Sequence, residues 1–88
     1  MDIADRFLHL ILSHRYQLTE HAIEAMDEDN LTLNDIVACL AGGYVRRSWK
    51  RARKYEIEGY AVDARLIRII GRLLSPRLVR IITVYEVQ

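Results

Sequence analysis

A chain of 88 residues, 51% apolar and 28% charged, has the make-up of one small folded domain and not of a disordered polar segment. Its apolar runs, such as 10–12 and 66–70 (interrupted by Arg68), are far too short to cross a membrane, and it opens without a basic leader ahead of an apolar run. The net charge of +1 hides an asymmetry: residues 1–43 hold two arginines against eight acids, residues 44–88 eleven basic residues against four acids. The basic half is therefore expected to meet something anionic, either nucleic acid or the acidic half of this chain or of a second copy. Lone Cys39 cannot form an internal disulfide and reads as a buried, reduced thiol, in keeping with a cytoplasmic protein. Three scattered histidines and one cysteine give no metal-ligand spacing, and no cofactor is expected.

In chain order, Asp2 to His14 reads as a helix, with Ile3, Phe7, Leu10 and Ile11 on one stripe and Asp2 and Asp5 in the first turn. Two short helices follow and begin alike: Leu18-Thr19 ahead of Ile23, Leu31-Thr32 ahead of Ile36. In each, threonine caps free backbone N–H groups and the preceding leucine packs on the isoleucine. Residues 27–30 turn between them, Asn30 suiting a left-handed conformation. The third helix, about 33–41, buries Ile36, Val37, Leu40 and Cys39, and Gly42-Gly43 stops it.

From Tyr44 the period changes to two. Strands are expected over 44–49, 54–62, 65–74 and 77–88, with 50–53 a basic loop or strand continuation and turns at Asp63-Ala64 and Ser75-Pro76. In the last strand strict alternation puts Leu78, Arg80, Ile82, Val84 and Glu86 on one face, and Val79, Ile81, Thr83, Tyr85 and Val87 on the other. The expected fold is α+β: a single domain over 1–88, with two or three helices in an acidic half (1–43) packed on a three- to four-stranded antiparallel meander in a basic half (44–88).

The helical half carries His21-Ala22-Ile23-Glu24-Ala25-Met26, then Glu28, Asn30-Leu31-Thr32, Asp35-Ile36, Leu40 and Gly43. With the closing Ile81-Ile82-Thr83-Val84-Tyr85-Glu86, this pattern resembles the small bacterial proteins called domain of unknown function 4258, over about residues 17–87. The resemblance implies the RelE/barnase-like fold of ribonuclease toxins, and either a toxin-like RNase or a relative that keeps only the binding surface. The family usually has arginine where Ala25 stands, often a second where Asp29 stands, and commonly a histidine near Arg68.

Metal-free RNA cleavage needs a base, an acid and cations around the phosphorane. His21, in a helix first turn that favours its neutral form, is the candidate acid or base; alternatively it packs locally. Arg68 and Arg72 share a strand face, with Arg80 on the neighbouring strand. Either Glu56, Glu58 and Glu86 neutralise them in a salt-bridge ladder or a phosphate does. Tyr85 is a candidate proton relay or stacking platform, or a buried phenol tied to a partner. The strongest binding signal is Arg46, Arg47, Lys50, Arg51, Arg53 and Lys54, interleaved with Tyr44, Trp49 and Tyr55: phosphate contacts with base stacking on these aromatics. The same segment suits an acidic antitoxin, another acidic partner protein or a homodimer. The expected function is therefore a toxin-like RNA-binding protein, in its catalytic form a metal-independent endoribonuclease of a toxin–antitoxin system; the alternative is a non-catalytic interaction module.

Overall fold

The computed structural model describes residues 2–88 and is built from three helices and five strands. Helix α1 (Ile3–Leu12) begins where the Asp2 carboxylate accepts the Asp5 N–H at 2.8 Å, and ends as His14 turns left-handed at φ 59°. Strand β1 (Tyr16–Leu18) leads into α2 (Glu20–Glu28), capped by Thr19 Oγ1 accepting from the Ala22 N–H at 3.0 Å. Asn30, at φ 54°, makes the expected left-handed turn into α3 (Leu33–Gly42). There Asp35 accepts the Thr32 N–H at 2.8 Å and, from the far β-turn, the Val62 N–H at 3.0 Å.

Strand β2 (Tyr44–Trp49) is followed by a 3-10 turn (Lys50–Ala52), so the basic stretch 50–53 is neither open loop nor strand. Strands β3 (Lys54–Tyr60), β4 (Leu66–Ser75) and β5 (Leu78–Glu86) complete one sheet in the order β1-β5-β4-β3-β2. Helices on a sheet are thus as expected, but the strand count is five and the sheet is mixed. β2 to β5 form the antiparallel meander, while β1 adds parallel to β5 through Tyr16↔Val79, Gln17↔Arg80 and Leu18↔Ile81. A three-residue strand has too few side chains to show a period of two, and its pairing partner lies 63 residues away.

The helices cover one face only. Phe7, Leu10 and Ile11 of α1 and Ile36, Cys39 and Leu40 of α3 form one core with Ile57, Ile67, Ile69, Val79, Ile81 and Val84 of the sheet. Gly43 and Gly59 let α3 lie against β3: a Cβ on Gly59 would stand 2.5 Å from the Cys39 carbonyl oxygen. Gly43 therefore serves close approach and not a left-handed helix stop, since no glycine has positive φ.

The phase of β5 also departs from strict alternation. The register pairs Ile70 with Thr83 but Gly71 with Ile81, leaving Ile82 as a bulge. Beyond it the faces exchange. Val84 joins Val79 and Ile81 in the core, and Thr83 and Tyr85 join Arg80 on the opposite face. No helix of the described residues is long and apolar enough to cross a membrane.

Candidate nucleic-acid interface

On the sheet face away from the core, cross-strand register sorts the side chains into three rows. The first runs Gln17–Arg80–Arg72–Lys54–Trp49 across all five strands. The second runs Thr83–Ile70–Glu56–Arg47, and the third Tyr85–Arg68–Glu58–Tyr44, both from β5 to β2. Arg46, skipped by the register shift between Val45 and Arg47, extends over the second and third rows. The face therefore carries six cations (Arg46, Arg47, Lys54, Arg68, Arg72, Arg80) and two carboxylates (Glu56, Glu58).

Both carboxylates are committed within the last two rows. Glu56 is only 1% exposed; it accepts from Arg46 Nη1 at 2.7 Å and from the Tyr85 hydroxyl at 2.8 Å. Burial pushes its pKa up, but the Tyr85 and Arg46 hydrogen bonds outweigh burial and hold it below the ordinary value. Glu58 accepts from Arg68 Nε and the Tyr44 hydroxyl, each at 2.8 Å, and lies 3.7 Å from Arg46 Nε. Those contacts, Arg68 first, lower its pKa.

The first row has no such compensation. Lys54, Arg72 and Arg80 stand on adjacent strands in direct register, about 4.8 Å from one strand to the next. None makes an ion pair among the described residues; Arg80 Nε donates to Gln17 Oε1 at 3.1 Å, and Arg72 Nε is shielded from solvent without an acceptor. Like charges directly opposite one another destabilise a sheet, so the row costs stability in the free chain. At its end the Trp49 ring has the Arg47 guanidinium 5.0 Å and the Lys54 ammonium 4.7 Å from its centroid.

Of the residues singled out in the sequence, the open face brings together Arg46, Arg47, Trp49, Lys54, Arg68, Arg72, Arg80 and Tyr85. Lys50, Arg51 and Arg53 sit at the adjoining 3-10 turn, exposed and without ion pairs. Tyr55 points into the core, edge-on to Phe7 with ring centroids 6.2 Å apart, and is no stacking platform. His21 lies exposed in the first turn of α2 and makes no side-chain hydrogen bond or ion pair among the described residues. It stands outside the rows, on the helix that flanks β5. Glu86 does not serve the arginine cluster: it pairs with Arg65 at 3.2 Å. Arg65 also donates to the backbone oxygens of Asp29 and Asn30, closing the end of α2. Asp29 accepts the Glu86 N–H at 2.9 Å. Gln17 was not foreseen, because its strand was not.

The chain belongs to the family described as Domain of unknown function (DUF4258), whose profile matches residues 18–86. No curated protein and no solved structure shows a significant match. The matched span begins within β1 and ends at the close of β5, so it takes in every residue of the three rows except Gln17.

Proposed function

We propose that the protein is a toxin-like RNA-binding protein that engages RNA through the uncovered face of its sheet. The observation that supports this most is the charge of that face, six cations against two carboxylates that are already taken up by Arg46, Arg68 and two tyrosines. Such a surface gains affinity for a phosphate backbone by releasing counterions. A RelE/barnase-like ancestry belongs to this reading as part of the proposal.

A catalytic form, a metal-independent endoribonuclease of a toxin–antitoxin system, is favoured by one further arrangement. The Tyr85 hydroxyl bonds a buried carboxylate at 2.8 Å and stands opposite Arg68 in register, so a proton donor, an acceptor and a cation meet. In that form Tyr85 assists proton transfer, Arg68 and Arg72 stabilise the phosphorane, and His21 acts as acid or base from the β5 flank. The competing reading is a non-catalytic module whose basic face takes an acidic antitoxin, another acidic protein or a second copy.

The deciding experiment incubates purified protein with a mixed RNA pool in magnesium and in EDTA, beside His21→Ala and Arg68→Ala. Cleavage in both buffers, lost in the variants, is the result expected of the enzyme. Salt-sensitive binding without cleavage leaves the RNA binder and removes the enzyme. No RNA binding, together with a dimer that weakens as salt rises, overturns the proposal in favour of the interaction module.

A further inference from the structure

The three rows of the open face are not equivalent, and their difference specifies how a ligand lies on it. In two of them the carboxylates are taken up by Arg46, Arg68 and two tyrosines, and the remaining cation, Arg47, turns to the Trp49 ring. In the first, three cations follow in register on three adjacent strands, with a glutamine at one end and the single tryptophan of the chain at the other. A compact anion would neutralise one of these groups. A linear polyanion lying across the strands neutralises all three.

We propose that a single strand of RNA crosses the sheet at right angles to its β-strands along Gln17–Arg80–Arg72–Lys54–Trp49, successive phosphates on the cations and an unpaired base on Trp49. This rests on the RNA-binding reading above and adds its path and strandedness. Lys54 Nζ lies over the Trp49 ring in the free chain, 4.7 Å from the centroid. Drawing that ammonium onto a phosphate uncovers the ring for a base, and stacking of this kind requires a base free of a duplex. Arg80 is the most accessible of the three cations and meets the strand at the β1 side.

The test follows Trp49 fluorescence while a short single-stranded RNA is titrated at several salt concentrations into the wild type, Lys54→Gln, Arg72→Gln and Arg80→Gln. Arg77→Gln, at the exposed β4–β5 turn, is the control, and circular dichroism confirms that each variant is folded. Three phosphates in contact give a slope of log K against log salt of about −2, and each row substitution reduces it by about 0.7 and weakens binding several-fold. The wild type changes fluorescence with the single strand and not with a duplex of the same length. Binding that persists with row variants indistinguishable from Arg77→Gln overturns the path and leaves the RNA reading standing. Equal response to duplex overturns the strandedness. No binding by the wild type overturns both, and tight binding of polyglutamate in its place assigns the row to an acidic protein.

Discussion

Glu56 is a buried carboxylate on the side of a sheet that no helix covers, and it stays ionised because Arg46 and Tyr85 lie over it. Asp35 is the second buried acid: burial raises its pKa, but the Thr32 and Val62 backbone N–H groups more than compensate. A carboxylate depressed in the folded state stabilises the fold above its unfolded pKa, and that contribution is lost as pH falls through the folded value. Stability to urea should therefore be level above about pH 5, and decline as pH drops below the ordinary values of 4.5 for Glu56 and 3.8 for Asp35. Glu56→Gln should flatten the upper part of that decline. Tyr85→Phe removes a hydrogen bond to a charged group and should cost about 1.5–3 kcal/mol in the same measurement. Burial, with the Glu58 charge second, pushes the Cys39 thiol up to about 12. Iodoacetamide at pH 8 should thus leave Cys39 unlabelled in the folded protein and alkylate it readily in denaturant.

At the level of elements, close approaches and flanking bonds decide how the layers fit. A Cβ on Gly71 would stand 2.7 Å from Cε2 of fully buried Phe7, so Gly71→Ala should lower stability by about 1–3 kcal/mol as α1 is pushed from the sheet. Thr19 joins two elements at once. Its hydroxyl caps α2 and donates to the carbonyl of the bulged Ile82 at 2.8 Å. Thr19→Val should cost about 1–2 kcal/mol and raise hydrogen exchange in α2 before it does so in β3 and β4. The three helices, their threonine and aspartate caps and the left-handed Asn30 were legible from local chemistry, because caps and helical stripes are written in neighbouring residues. Alternation likewise gave the faces of β3 and β4. The parallel β1, the bulge at Ile82 and the rows were not legible, since each depends on which distant residue lies opposite. That is also why Arg68, Arg72 and Arg80 looked alike in the sequence, whereas in the fold only Arg68 has a carboxylate.

Over the whole molecule the charge asymmetry becomes a spatial one. Glu20, Glu24, Asp27 and Glu28 project from α2 on the flank of β5, while the cations occupy the open face and the 3-10 turn beside β2. An open cavity of about 340 Å³ on the acidic side is lined by Leu18, Ile23, Glu24, Met26, Asp27 and Leu31. Ile23, 54% exposed, lines that cavity with Leu18, so this leucine and isoleucine stay open to solvent, whereas Leu31 and Ile36 are both buried in the core. The sheet order has a consequence in time as well as in space. β5 is the last strand of the domain to leave the ribosome, yet it joins β1 and α2 to the meander. Until it emerges, Tyr16–Leu18 and the Thr19 hydroxyl proton have no partner, and α2 waits as an exposed amphipathic segment, while α1, α3 and β3 can already pack together. A chain ending at Arg77 should show no cooperative thermal transition, and supplying residues 78–88 as a separate peptide should restore one. The domain should thus complete its structure only after its final strand is synthesised.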